Sequence, residues 1–173
     1  PNCAAPLLQR VPPGDSVPRD VCDACGSVHY QNPKLVVGCV PVWEYGRREG
    51  RILLCRRAIE PRYGYWTLPA GFMENGETAA QGAIRETLEE AGARVELDAA
   101  FSMISVPYVN QVHLFYRARL LDLEFKPGDE SLAVALFEES RMPWKDIAFR
   151  TVGLTLRHWF ADRGRNSFGF HTE

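Results

Sequence analysis

Three glutamates lie within five residues of one segment, and their crowding needs an explanation. Glu86, Glu89 and Glu90 are spaced i, i+3 and i+4, so on a helix each pair of like charges costs roughly 0.2–0.5 kcal/mol. One explanation is a solvated acidic face, which is the commoner origin of such clusters. The other is that divalent cations relieve the repulsion, because hard ions such as Mg²⁺ and Mn²⁺ prefer carboxylate oxygens.

The residues around these glutamates decide between the two explanations. They follow a spaced pattern whose fixed positions are Gly71, Glu77, Arg85, Glu86, Glu89, Glu90 and Gly92. This pattern resembles the Nudix box, G-x5-E-x7-R-E-U-x-E-E-x-G-U, in which U is a bulky aliphatic residue, and all seven fixed letters match. Thr87 stands at the first U, where its hydroxyl can hydrogen-bond back along the helix.

The resemblance implies the chemistry of Nudix hydrolases, in which a loop and helix bind divalent metals. A water then attacks one phosphorus of a nucleoside diphosphate that is linked to another group. By position, it implies that Mg²⁺ or Mn²⁺ is held by the carboxylates of Glu86, Glu89 and Glu90 and by the backbone carbonyl of Gly71.

The resemblance also implies supporting and catalytic roles nearby. Glu77 and Arg85 are expected to pair and to hold the loop against the helix. Two residues remain open as the general base: Glu89, and Glu130 in the later run PGDESLAV. A mobile loop after Pro127-Gly128 would suit that task, whereas a solvated turn glutamate is the alternative for Glu130.

Three cysteines near the start of the chain predict a structural zinc site. Cys22 and Cys25 form a C-x-x-C followed by Gly26, which is half of a zinc knuckle, and Cys3 lies upstream. A redox pair, or a free thiol at Cys3, is the alternative. We expect the fourth thiolate to precede residue 1, so that the segment is a truncated ribbon in which zinc is weakly held or absent. His29 could substitute as a ligand.

The chain resembles two groups within the Nudix family that carry a zinc ribbon. One contains NADH pyrophosphatases that also remove NAD caps from RNA, and its S-Q-P-W-P-F-P-x-S run is absent here. The other acts on ADP-ribose and FAD, and Pro107 lies at the distance past the box that is associated with ADP-ribose preference. The resemblance therefore implies hydrolysis of ADP-ribose or FAD to a nucleoside monophosphate and a phosphorylated product. NADH pyrophosphatase or NAD-RNA decapping activity is an alternative, and a non-catalytic module that senses ADP-ribose is another.

Cationic and aromatic residues near the box are candidates for binding the nucleotide. Arg57 could clamp phosphate oxygens, with a surface salt bridge as the alternative. Tyr65, Trp66 and Tyr108 could stack on a nucleobase, although packing in the core or a hairpin is an equally good explanation of each.

Residue periodicity predicts the elements that position these groups. Residues 34–43 and 51–57 predict a β-hairpin, residues 94–107 and 112–120 two further strands, and SLAVALF another. Thr78 and Gln81 fit a capping box and Gly92 a helix end, so we predict a helix over 79–91. Its buried side is expected to carry Ala80, Ile84, Thr87, Leu88 and Ala91. A second helix is expected near residues 149–163.

These elements predict an α/β protein, and the resemblance implies the α/β/α sandwich with a mixed sheet. We divide the chain into a zinc-ribbon-like segment (1–33), a Nudix domain (34–165) and a C-terminal tail (166–173), which we expect to be frayed.

The composition limits the classes of protein and the cellular locations that are consistent with the sequence. With 20 basic and 22 acidic residues in 173, the net charge of −2 argues against a bulk nucleic-acid binder. The longest apolar runs are too short to span a bilayer, and the opening residues do not predict a signal peptide. Five cysteines, two of them (Cys39 and Cys55) in apolar strands, favour a reducing, cytoplasmic location over a disulfide framework. Many members of the family that the chain resembles are homodimers, so the resemblance implies a possible homodimer for this protein as well.

Overall fold

The computed structural model describes residues 3–43 and 50–173, and the chain divides into two compact units after Pro33. The first unit is an antiparallel sheet of three strands, β1 (Leu7–Arg10), β2 (Arg19–Cys22) and β3 (Val28–His29). Most of the loop that was predicted between the first two strands of the second unit, at 44–49, lies outside the described residues.

The second unit is built on a mixed sheet flanked by two helices. Its strands and helices, in chain order, are β4 (Lys34–Trp43), β5 (Arg51–Arg57), β6 (Trp66–Thr67), β7 (Ala70–Phe72), α1 (Ala79–Ala91), β8 (Val95–Val106), β9 (Gln111–Leu120), β10 (Ser131–Phe137), α2 (Arg150–Arg165) and β11 (His171–Thr172). The strand order is β10-β5-β4-β9-β8-β11, with β4 and β9 parallel and β8 and β11 parallel.

The two helices cover opposite faces of this sheet. On β5, Leu53 and Cys55 pack in a cluster with Ala83 of α1, whereas Ile52 and Leu54 pack in a second cluster with residues of α2. Successive side chains of a strand point to opposite faces. The unit is therefore the three-layered α/β/α sandwich that the sequence predicted.

The sheet divides between β4 and β5, and this division makes room for a site. The two strands pair only at Val42 with Ile52 and Trp43 with Arg51. Beyond that point they diverge, so that β7 pairs with β4 and β6 pairs with β5. The divergence leaves a cleft at this end of the sheet.

Helix α1 has the predicted ends but only part of the predicted buried side. Thr78 and Gln81 form the reciprocal capping box, Gly92 ends the helix in the left-handed conformation, and the Thr87 hydroxyl donates to the Ala83 carbonyl at 2.8 Å. Ile84 and Leu88, however, are exposed, and the buried set is Gly82, Ala83, Glu86, Thr87, Glu90 and Ala91. The expected buried side is therefore right for Thr87 and Ala91 and wrong for Ile84 and Leu88, because the buried set includes two glutamates in their place.

The last eight residues are held against the domain, in contrast to the frayed tail that we expected. Residues of β11 pair with β8, and the Ser105 N–H donates to the Glu173 carbonyl at 2.8 Å. The Asp162 carboxylate, 1% exposed, accepts from His171 Nε2 at 2.8 Å and from the Gly169 N–H at 2.9 Å. Its burial opposes ionisation, but these hydrogen bonds prevail and lower the pKa of Asp162 to about 2.

Within the described parts of the chain, we find no helix with the length and apolar character needed to cross a membrane.

Candidate active site

A cleft of about 1200 Å³ opens where β4 and β5 diverge, and one of its walls is acidic. That wall is formed by α1 and by the turn before β10, which contribute Glu86, Glu89, Glu90, Asp129 and Glu130. The structure thus brings the predicted metal ligands and both candidate bases to one surface.

Arg85 organises the loop that precedes α1. Its Nε and NH2 groups donate to both carboxylate oxygens of Glu77 at 3.0 and 2.7 Å, and NH2 also reaches the Phe72 carbonyl at 3.2 Å. Glu77 accepts in addition from the Glu74 N–H at 2.7 Å. The Arg85 guanidinium, with the Glu74 amide, lowers the pKa of Glu77 to about 2. The expected pairing of Glu77 with Arg85 is therefore present in the structure.

Arg85 also contacts two of the three predicted ligands. Its NH1 group donates to Glu86 at 2.7 Å and to Glu89 at 3.0 Å. Glu90 instead accepts from the Ala70 N–H. The three carboxylates therefore lie on one wall of the cleft without converging on a single point. Among the described residues, the acidic and thiol groups that do converge within 4.8 Å are the three cysteines of the first unit.

Glu86 and Glu90 are buried carboxylates, which is unusual for glutamate. The Ala70 N–H donates to Glu90 Oε2 at 3.1 Å. Burial raises the pKa of Glu90 to about 8, and the negative charges of Glu86 and Glu130 add to the effect. Burial also raises the pKa of Glu86, against the hydrogen bond from Arg85. A cation bound in the cleft would therefore stabilise the ionised forms of both glutamates.

Gly71 is packed directly against Glu86. A Cβ atom at this position would lie 2.4 Å from the carboxylate of Glu86, so any residue other than glycine would clash with that carboxylate. The backbone of Gly71 is fixed by pairing with Val37 of β4. The carboxylate oxygens and this close backbone form a donor set of hard oxygen atoms, which fits Mg²⁺ or Mn²⁺.

The turn that carries Glu130 is anchored by backbone hydrogen bonds, whereas the sequence left both a mobile loop and a solvated turn open. The Lys126 and Gly128 N–H groups donate to the Ala91 and Glu90 carbonyls at 2.9 and 3.0 Å, at the C-terminal end of α1. The Ala58 N–H donates to the Glu130 carbonyl at 2.8 Å. These bonds satisfy helix carbonyls that would otherwise lack partners, and they fix the base candidate relative to the ligands.

The predicted nucleotide-binding residues divide into two pairs. Arg57 and Tyr108 line the cleft, and the Arg57 guanidinium lies 5.0 Å from the Phe149 ring. Tyr65 and Trp66 do not line it: Trp66 is partly buried and packs edge-on against Phe137 at 4.9 Å, beside the core cluster that contains residues of α2. Their placement does not support stacking on a base.

The sequence analysis missed three polar residues in the same cleft. Gln111 and His113 at the start of β9, and Thr151 in the first turn of α2, line it opposite the acids. His113 and Thr151 are 38 positions apart, and no sequence pattern announces their contact.

The first unit holds a separate candidate metal centre. Cys3 Sγ lies 3.2 Å from Cys22 Sγ and 3.5 Å from Cys25 Sγ. Hydrogen bonds from Ser27 lower the pKa of Cys25 to about 6, which favours the thiolate that binds metals. His29, the alternative ligand, does not belong to this cluster of described residues.

Both units match known families. Residues 33–160 match the family described as NUDIX domain, and residues 1–31 match the zinc-ribbon family described as Nudix N-terminal. The crystal structure of a NUDIX hydrolase from Nitrosomonas europaea is 49% identical, covering 99% of this chain and 96% of that chain with a TM-score of 0.91.

More distant proteins share the fold or part of the sequence. The NUDIX domain of Shewanella oneidensis NrtR, complexed with ADP ribose, is 18% identical with a TM-score of 0.61 over 76% of this chain and 90% of that chain. An ADP-ribose pyrophosphatase of Methanocaldococcus jannaschii is 30% identical over 56% of this chain and 59% of its own length. The NAD-capped RNA hydrolase NudC of Chromobacterium violaceum is 30% identical over 91% of this chain and 56% of its own length. The chain thus spans less than three fifths of each of these two curated relatives.

Proposed function

Because the chain belongs to the Nudix hydrolase family, we propose that it cleaves the diphosphate of nucleoside diphosphate derivatives, with ADP-ribose and FAD as the favoured substrates. The products are a nucleoside monophosphate and the phosphorylated remainder. One observation carries this proposal: α1 turns two glutamates, Glu86 and Glu90, into a cleft where they are buried. A buried carboxylate pair is costly unless a cation compensates it.

Glu86, Glu89 and Glu90, with the Gly71 carbonyl, would hold Mg²⁺ or Mn²⁺. When bound, such an ion neutralises diphosphate charge and lowers the pKa of a bound water. Arg85 keeps the carboxylates of Glu86 and Glu89 in place through its NH1 group. Arg57 provides a cationic group at the end of β5, on the cleft surface, that can bind phosphate oxygens.

A general base must take a proton from the attacking water, and Glu130 and Glu89 are the two candidates. Glu130 is held by the anchored turn, and its negative charge contributes to raising the pKa of both Glu86 and Glu90. Glu89 is half exposed, and its Oε2 atom already accepts a hydrogen bond from Arg85 NH1 at 3.0 Å. We therefore favour Glu130.

Product analysis tests the activity and the base together. The protein is incubated with Mg²⁺ or Mn²⁺ and ADP-ribose, FAD or NADH, and nucleoside monophosphate is measured by chromatography. We expect AMP from ADP-ribose or FAD, and a loss of roughly 10²–10⁴-fold in kcat for Glu130→Gln, larger than for Glu89→Gln. Glu124→Gln, at a residue whose side chain is 86% exposed, serves as the control and should retain full activity.

The same assay separates the alternatives. NADH turnover above that of ADP-ribose and FAD would favour the NADH pyrophosphatase or NAD-RNA decapping reading, to which the similarity to NudC over 91% of the chain gives some weight. No turnover, with ADP-ribose still bound, would contradict the hydrolase and leave an ADP-ribose-sensing module.

We also propose that Cys3, Cys22 and Cys25 bind a structural zinc ion. The three thiols converge, and thiolates are preferred zinc ligands. Because only three thiols converge in the described part of the chain, zinc is expected to be held weakly, so metal analysis in the presence of added zinc should find up to about one ion per chain. Cys25→Ser should lower that content severalfold. Cys39→Ala, which removes a thiol buried beneath α1, should leave the zinc content unchanged. Equal zinc content in all three proteins would contradict the assignment.

A further inference from the structure

Three polar side chains in the cleft form a chain of hydrogen bonds that the proposed catalysis does not use. His113 Nε2 lies 3.0 Å from Gln111 Oε1, and His113 Nδ1 lies 2.9 Å from Thr151 Oγ1. We call Gln111, His113 and Thr151 the polar wall. Thr151 is 5% exposed, so its hydroxyl is committed to this contact.

The chemistry of these groups fixes the direction of each hydrogen bond. The Gln111 oxygen can only accept, so His113 Nε2 carries a hydrogen. Burial lowers the pKa of His113, which keeps the ring neutral near pH 7. The bare Nδ1 atom of the neutral ring then accepts from the Thr151 hydroxyl.

One group of the polar wall is left for a ligand. With its oxygen held by His113, the Gln111 amide presents its NH2 group, and in the described parts of the chain no protein acceptor lies within hydrogen-bonding distance of that nitrogen. A free side-chain amide can rotate and present either its oxygen or its NH2 group to a ligand. The Gln111 amide is held by His113 and presents only the NH2 donor.

The polar wall and the acids line the same cleft. Val36 of β4 pairs with Phe72 on one side and with His113 on the other, so the backbones of Phe72 and His113 are two strand spacings, roughly 10 Å, apart. Gly71 packs against the acids on the α1 side of the sheet, whereas His113 contacts α2 on the other side. A nucleotide with its diphosphate at the acids and its base at the polar wall would pass the end of the sheet where β4 and β5 diverge.

The surfaces beside the polar wall suit a flat ring. Val36, Val106 and Tyr108 line the same cleft, and Tyr108 is 86% exposed and so available to stack. An apolar slot with one directed donor is the usual form of a base-binding site.

We propose that the NH2 group of Gln111, which is held in place by His113 and Thr151, donates to ring N1 of the bound base. Gln111 thereby selects bases with an acceptor at N1, such as adenine, over bases with an N–H there, such as hypoxanthine and guanine. The proposal rests on the function proposed above. Gln111 is the specificity residue, and His113 and Thr151 are positioning residues.

The test compares ADP-ribose with inosine diphosphate ribose, which differ in the base edge. Two ratios are measured for each protein: kcat/KM with Mg²⁺, and equilibrium binding by calorimetry in EDTA, where no turnover occurs. We expect wild type to prefer ADP-ribose by about 10-fold or more in both, because a donor facing an N–H leaves both unpaired. Gln111→Leu should reduce the ratio to about 1.

Variants at Thr151 separate positioning from a merely structural role. Thr151→Val keeps the shape but loses the hydroxyl, so the amide is no longer held and the preference should fall at least about 3-fold. Thr151→Ser retains the hydroxyl and should retain the preference.

Each outcome bears on one proposal. Turnover by wild type with the same ratio in Gln111→Leu overturns the inference and leaves the hydrolase intact. Absence of turnover, with a binding preference that Gln111→Leu abolishes, overturns the hydrolase and supports the inference. Equal binding of both ligands by wild type, or a preference for inosine, overturns the inference.

Discussion

Glu90→Gln should abolish hydrolysis and, at the same time, stabilise the metal-free protein above pH 8. The loss of activity follows from removing a carboxylate of the proposed ligand set, and we expect a fall of about 10³-fold or more in kcat/KM. The gain in stability follows from burial, because the neutral amide no longer has to ionise in the cleft. The glutamine oxygen can still accept from the Ala70 N–H, as Glu90 does at 3.1 Å.

The pH dependence has a definite sign. The pKa of Glu90 is about 8 in the folded protein, above the ordinary value of 4.5. The folded state therefore binds the proton more tightly, and its stability falls as pH rises from 4.5 through 8. In EDTA, urea denaturation should show wild type and Glu90→Gln differing little at pH 4.5 and by on the order of 2–4 kcal/mol at pH 9.

Mg²⁺ should reverse this order by stabilising wild type alone. Glu89→Gln is the matched control for stability, because that side chain is 58% exposed and its removal should change the free energy of unfolding little. A Glu90→Gln protein that is less stable than wild type at pH 9 in EDTA would contradict the argument.

Gly128→Ala is expected to damage both stability and catalysis, from a position outside the Nudix box. A Cβ atom there would lie 1.7 Å from the Glu89 carbonyl oxygen, which is a backbone atom that cannot turn aside. The turn must move away from α1, breaking the bonds from Lys126 and Gly128 to the helix carbonyls. We expect a loss of about 3 kcal/mol or more in the free energy of unfolding.

The same displacement would move Glu130 relative to the buried glutamates, and a shift of about 1 Å can cost roughly 10²-fold in rate. Urea denaturation and kcat/KM with ADP-ribose measure the two effects. Gly153→Ala in α2 is the control: its added Cβ comes no closer than 3.9 Å to Ile147, so it should preserve activity and stabilise the helix by up to about 1 kcal/mol. A stable, fully active Gly128→Ala protein would show that the turn is not held as described.

Local signals predicted the local structure well. Thr78, Gln81 and Gly92 fixed the ends of α1 because capping chemistry acts over three or four residues. The strand bounds and the placement of the acids on one helix likewise followed from short-range patterns. Periodicity was only partly right on α1, where Thr87 and Ala91 are buried as expected. It assumes that polar residues face solvent, but Glu86 and Glu90 face a cleft while Ile84 and Leu88 are exposed.

Features that depend on distant pairing were not predictable. The polar wall exists because β9 and α2 bring His113 to Thr151, and Trp66 packs against the core because β6 pairs with β5 beside Phe137. The anchoring of the turn at Gly128 depends on where α1 ends in space. Each of these needs the register of elements that are far apart in sequence, which residue types alone do not specify.

The pairing of β11 with β8 also affects how the protein behaves at high concentration. An unpaired strand edge offers free N–H and carbonyl groups that can recruit a strand from another molecule, which is a route to aggregation. Residues 171–173 occupy such groups on β8, at Ser102, Met103 and Ser105. Asp162 keeps this short segment in place through His171. A single buried carboxylate thereby contributes to colloidal stability as well as to folding.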